Sequence, residues 1–189
     1  MGRFTRTPQA TFRFEMSRFL RFFLLLSILV GAWVLLLRPV EPVPPPPPLH
    51  AEIDHILIEK TQRLLTVYKE GTPLRTYEIA LGFAPDGDKE IEGDGKTPEG
   101  FFAINRRNPQ SKFHLSLGID YPQTEDIKHA RSLGKSPGGD IFIHGQPNSL
   151  PDSVILPGDW TAGCIALSNQ EIEELWRITP NGTTVEIRP

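Results

Sequence analysis

The sequence predicts a mainly β domain with a minor helical component, preceded by one N-terminal transmembrane helix. Three observations carry this. From Glu52 onward, short apolar runs alternate with turns built on Gly, Pro and Asn, the pattern of a β-rich fold. Only two segments, TEDIKHARSLG and SNQEIEELWRI, carry helical signals. Near the start, Phe22 to Leu37 reads FFLLLSILVGAWVLLL, without a charge.

Extended back to Phe19, the apolar segment has 19 residues. As a helix it is about 28 Å long, enough to span a bilayer. Arg21 lies inside it, and its long side chain can snorkel to the interface. Arg3, Arg6, Arg13 and Arg18 precede it, and Glu15 is the sole acid before residue 40. By the positive-inside rule the N-terminus is cytoplasmic and everything after Arg38 lies across the membrane. A cleaved signal peptide has a shorter apolar region and a small-residue cleavage site. Here LLLRPVEPVPPPPP follows. The expected organisation is a basic cytoplasmic segment 1–18, an uncleaved signal anchor 19–38, a proline-rich linker 39–50 and a domain 51–189. The linker reads as a polyproline II tether, because proline lacks the N–H that helix and sheet interiors need.

Within the domain, DHILIEK alternates, with His55, Leu57 and Glu59 on one face and Ile56 and Ile58 on the other. RLLTVYKEGTPLRTYEIAL reads as a hairpin around KEGTP, and GFFAI, GGDIFIHG and GCIAL read as further strands. In the second helical segment Ser168 can cap and Glu171 completes a capping box. Ile172, Leu175 and Trp176 give that helix one apolar face. PNGTTVEIRP closes with an Asn-Gly turn and a last strand.

A chain of 189 residues with net charge −3 allows one ordinary domain and shows no basic footprint, so nucleic acid is not an expected partner. Its single cysteine, Cys164, has no intramolecular partner, which leaves a free reactive thiol, an intermolecular bridge or an inert buried residue. Cys164 follows Gly163, and His144 ends an apolar strand twenty residues earlier with Gly145 after it. A histidine ending one strand meets a cysteine starting another if the strands are neighbours, which is a nucleophile and base pairing. The backbone N–H groups of Gly163 and Cys164 are candidate oxyanion donors. A working site of this kind predicts a depressed thiol pKa.

Three ordered motifs add to this. The first is HG at His144 and Gly145, fifteen residues, then TAGC and IAL. The second is GDGKTPEGFFAI, and the third is SKFHLSLGIDYP followed by GGDIFIHG. Together they resemble the L,D-transpeptidase catalytic domain (YkuD) family, in its YafK-like branch, over about Ile53 to Ile187. The resemblance implies a YkuD-like β-sandwich domain with Cys164 as nucleophile, His144 as general base and Gly145 orienting the imidazole through its carbonyl. Thr161 matches a Ser or Thr of the family motif. Ala162 and Ala166 stand where that motif has histidine and arginine. The implied activity is peptidoglycan modification through a thioester on stem peptides, without metal or cofactor, by a single-pass inner-membrane protein whose domain faces the periplasm or wall. A YkuD-fold hydrolase, either an L,D-carboxypeptidase or an amidase releasing wall-linked protein, and a silent wall-binding module are the alternatives.

Trp160, Thr161, His114 and Tyr121 are candidate substrate-binding residues, with packing roles as the plainer reading. His114, His129 and His144 are evenly spaced, but no close histidine pair exists, and no metal site is expected.

Overall fold

The structure, a computed structural model, describes residues 12–37 and 46–189. It divides into two compact units, with the boundary between Pro46 and Pro47. Residues 1–11 of the expected basic segment, residue 38 of the expected anchor and residues 39–45 of the expected linker lie outside the described residues.

In the first unit α1 runs from Phe12 to Leu36, starting earlier than the expected anchor. Arg18–Leu36 has a mean hydropathy of 2.4 over 19 residues and no part of it is buried by protein. Ser27 donates back to the Leu24 carbonyl at 2.8 Å, which satisfies its hydroxyl within the helix. By length and composition this helix can cross a membrane.

The second unit is β-rich, as expected, with eight strands in one continuous sheet. β1 (His55–Glu59), β2 (Leu64–Lys69) and β3 (Thr72–Glu78) form a meander. Its second turn uses Glu70 and Gly71, both at positive φ (49° and 76°), which suits the twist of a tight hairpin. β4 (Gly100–Asn108), β5 (Ser116–Ile119), β6 (Phe142–His144) and β7 (Ile165–Ala166) follow, and β8 (Thr184–Arg188) lies between β1 and β4. β8 runs parallel to β1 and antiparallel to β4. The expected sandwich is thus two arms of one sheet that share β4. Segment 80–83, continuing from β3, closes it onto β7: Ala80 and Ala166 exchange N–H···O bonds at 2.9 and 2.8 Å.

Both arms fill one core. Ile56 and Ile58 of β1, Leu117 of β5, Ile143 of β6 and Ile165 of β7 are fully buried there. The expected alternation in β1 is therefore observed, Ile56 and Ile58 inward. α3 (Asn169–Ile178) has the expected Ser168 cap and the reciprocal Glu171 bond, and buries Ile172, Leu175 and Ile178. Trp176 is partly buried, its ring under the Arg107 guanidinium at 4.1 Å. α2 (Thr124–Ser132) covers the first helical segment, TEDIKHARSLG.

The domain begins before the expected residue 51. Pro47 accepts from Arg75 through its carbonyl, the Leu49 N–H donates to Glu174, and Leu49 packs on the core. The end of the proline-rich stretch is thus part of the domain.

Candidate active site

β6 and β7 are parallel neighbours, with Ile143 opposite Ile165 and His144 opposite Ala166. Continuing that register one residue back sets Cys164 opposite Phe142. Side chains alternate along strands, so Phe142, His144, Cys164 and Ala166 share one face while Ile143 and Ile165 fill the core. His144 and Cys164 are then diagonal neighbours on adjacent strands, their Cα atoms about 8 Å apart by strand spacing and rise. The parity of two short strands brings the pair together.

His144 is 3% exposed and held on three sides. Its Nδ1 lies 2.7 Å from the Gly145 carbonyl oxygen. A carbonyl only accepts, so the proton sits on Nδ1 and the lone pair on Nε2. The ring stacks on Phe113 at 4.7 Å and meets the edge of Trp160 at 5.8 Å. Burial pushes the imidazole pKa down, against the Gly145 bond that raises it. The ring is therefore neutral at pH 7 and able to take a proton. Gly145 itself must lack a side chain: a Cβ there would lie 2.6 Å from Asn169 Oδ1 and 3.0 Å from Ile172.

The Cys164 thiol donates to the Asp140 carbonyl at 3.5 Å. Burial raises its pKa most, and the charge of Asp140 adds to this. The Phe142 N–H, Lys89 and Arg106 pull it down but do not win. This corrects the expectation of a depressed thiol pKa: the resting pair is a neutral thiol and a neutral imidazole. Alkylation of native Cys164 by iodoacetamide is accordingly expected to be slower than for the unfolded chain near pH 8. It should rise with pH only above the ordinary thiol range of about 8.5. A rate already at its plateau below pH 7 would contradict this.

The other expected site residues divide. Thr161 is 4% exposed, and its Oγ1 donates to the Cys164 carbonyl at 2.7 Å and accepts from Gly163 N–H at 3.1 Å. It binds the loop from Thr161 to Cys164 together, and its hydroxyl is committed within that loop. The same bond takes the Gly163 N–H, so Gly163 is not a free oxyanion donor. The Cys164 N–H has no acceptor among the described residues. Trp160 walls the histidine, and its buried Nε1–H also has no acceptor among the described residues.

His114 turns away from the expected substrate role. At φ 58° its N–H meets Asn148 and its Nε2 pairs with Glu173 of α3 at 2.9 Å. Tyr121 is 4% exposed in the core, edge-on to Phe102, and donates its hydroxyl to the Pro137 carbonyl. It props the segment before β6 from below. Phe113, absent from the expected set, stacks directly on His144; it lies in the sequence element SKFH.

Behind the β7 edge is a cavity of about 460 Å³ lined by Ala80, Gln146, Leu156, Asp159, Ala166 and Glu171 among others. Neither Cys164 nor His144 lines it.

A cysteine and a neutral histidine on adjacent parallel strands are the two groups that thiol nucleophilic chemistry uses. Residues 53–187 match the L,D-transpeptidase catalytic domain (YkuD), and the chain belongs to that family. It is 30% identical to YafK of Escherichia coli (strain K12) over 129 residues, covering 65% of this chain and 46% of YafK. Among solved structures it is similar to the helical cell shape determining protein Pgp2 of Campylobacter jejuni. The TM-score is 0.56 at 32% identity, with 73% of this chain and 48% of Pgp2 covered. Bd1075 of Bdellovibrio bacteriovorus shares the fold at TM-score 0.51 and 24% identity, over 75% of this chain and 52% of that one. The chain spans about half the length of these relatives.

Proposed function

We propose that this protein is a peptidoglycan-modifying L,D-transpeptidase that works through a thioester on Cys164. The observation that carries the reading is the placement of Cys164 beside a histidine whose tautomer is set. Nδ1 is tied to Gly145, so Nε2 is the one ring atom able to take the thiol proton. With substrate bound, the S–H proton passes to His144 Nε2 and sulfur attacks the stem-peptide amide carbon. The oxyanion faces the unpaired Cys164 N–H. Collapse breaks the C–N bond, the leaving amine takes the proton from His144, and a thioester remains. An acceptor amine then attacks the thioester carbon, gives its proton to His144, and sulfur leaves to recover the thiol.

The anchor helix holds the domain at the inner membrane on its periplasmic, wall-facing side. Pgp2 is by name a cell-shape determinant, and a role in cell shape is proposed here on that likeness.

The test is mass spectrometry of a tetrapeptide-stem muropeptide incubated with the full chain in detergent, beside Cys164→Ala and His144→Ala. Cross-linked or amine-exchanged product from the wild type alone is expected. Shortened stems alone would replace the transpeptidase reading with a hydrolase. Unchanged muropeptide in every sample would sink both.

A further inference from the structure

The row of residues that ends at Cys164 begins with a cation. Arg106 of β4 is in register with Gly118 of β5, and Gly118 with Phe142 of β6. The β6–β7 register carries the row on to Cys164. Register partners point to one face, so Arg106 shares the face of Cys164 and His144. Gly118 gives the row its gap. A Cβ there would lie 2.5 Å from Arg106 Cγ and 2.6 Å from Nε. With glycine, the arginine lies flat along the sheet instead of standing off it. Its guanidinium rests 4.5 Å from the Phe142 ring centroid and donates to Asp140 Oδ1 at 2.9 Å.

Asp140 is the residue whose carbonyl accepts the Cys164 thiol. Its carboxylate is 83% exposed and, among the described residues, is the one acceptor bonded to this guanidinium. An ion pair so exposed is worth little and exchanges readily. A planar guanidinium is also the group best shaped to take a carboxylate. Ala166, opposite His144, is buried and offers no charge.

We infer that Arg106 recognises a substrate carboxylate, the free α-carboxylate of the donor stem's terminal residue, which displaces Asp140 and sets the scissile amide at Cys164. This rests on the stem-peptide reading above. The spacing fits: a cation over Phe142 stands one strand from Cys164, about 4.8 Å. A terminal carboxylate lies one residue, about 3.8 Å, beyond the amide that joins it to the chain.

Two measurements on the full chain in detergent test it, each with Arg106→Ala and Arg106→Lys. The first needs no peptide: alkylation of Cys164 by iodoacetate, which carries a carboxylate, and by neutral iodoacetamide. A change in thiol pKa or in packing moves both rates together, so their ratio isolates the carboxylate. The ratio is expected to fall about tenfold in Arg106→Ala and to be mostly kept in Arg106→Lys. The second compares kcat/KM on a tetrapeptide stem with a free C-terminal carboxylate and on its C-terminal amide. Wild type should favour the acid about tenfold or more, and Arg106→Ala should lose that preference mainly through KM. An alkylation ratio that falls with no stem turned over keeps Arg106 as a carboxylate site and removes the stem-peptide reading. Stems turned over while ratio and acid preference stay unchanged in Arg106→Ala remove the Arg106 assignment alone. An unchanged ratio without turnover removes both.

Discussion

Gly163→Ala is expected to lower kcat/KM at least about a hundredfold while leaving the fold in place. Gly163 has φ 131°, a conformation that L side chains rarely adopt. A Cβ there would also meet the Lys96 carbonyl oxygen at 2.7 Å. That carbonyl cannot retreat. The Asp94 carboxylate accepts from Lys96 N–H at 3.1 Å, Glu90 N–H at 2.8 Å, Ile91 N–H at 3.0 Å and Lys89 Nζ at 2.7 Å. Burial pushes the Asp94 pKa up, but these donors outweigh it and bring it to about 2, so the knot stays charged. On the other flank, a Cβ at Gly82 would lie 2.0 Å from the Gly95 carbonyl oxygen and 3.0 Å from Gly163 Cα. Three backbone segments thus cross at glycines, and a Cβ on Gly163 would have to push the segment bearing Cys164 off its place. Displacing Cys164 by a fraction of an ångström to about 1 Å costs on the order of a hundredfold. Turnover of the muropeptide and the iodoacetamide rate of Cys164 check this together. Near-wild-type values for both would mean the crossing yields.

Glu174→Ala is expected to cost about 3 kcal/mol, or roughly 10 °C in Tm for a domain of this size. Glu174 sits on α3 with its side chain 9% exposed and answers three donors from distant parts of the chain. These are the Leu49 N–H at 2.8 Å, the Tyr77 hydroxyl at 2.8 Å and the Arg75 guanidinium. Truncation strands the Leu49 N–H and, in the core, the Tyr77 hydroxyl, and leaves Arg75 only the Pro47 carbonyl. Burial raises the Glu174 pKa, yet Leu49, Tyr77 and Arg75 together hold it below the ordinary carboxylate value. The folded-state pKa is the lower one, so this stabilisation is present above about pH 4.3 and is lost as pH falls through the folded pKa. The Tm gap between wild type and variant should therefore be full at pH 7 and close in acid. A gap independent of pH would mean that lost packing, not charge, explains the variant.

Much of the fold was legible because its period was. β1 alternates cleanly, and the capping box of α3 is written in Ser168 and Glu171. β5 was not legible: Ser116–Ile119 is four residues, all buried and one of them glycine, so it has no alternation to read. β6 reads longer in sequence than its three residues. Cys164 and His144 were legible through local motifs. Arg106 was not, since its place beside Cys164 arises from register across strands 58 residues apart in sequence. The commitment of the Gly163 N–H to Thr161 depends on one side-chain rotamer, which no sequence pattern encodes. The thiol pKa was misjudged because sequence shows neighbouring charges but not the desolvation that outweighs them.

β8 lies between β1 and β4, yet residues 184–188 are made after every other strand. The middle of the sheet is therefore the last part of the sheet to be made. Until it is made, β1 and β4 each keep an open edge, and only the Ala80–Ala166 bonds tie β3 to β7. Folding of the sheet must wait for β8 and then make pairings between residues over a hundred positions apart, which is slow. A domain whose centre forms this late leaves its polypeptide threadable during synthesis. Removing the final strand would open the centre of the sheet, not shorten its edge.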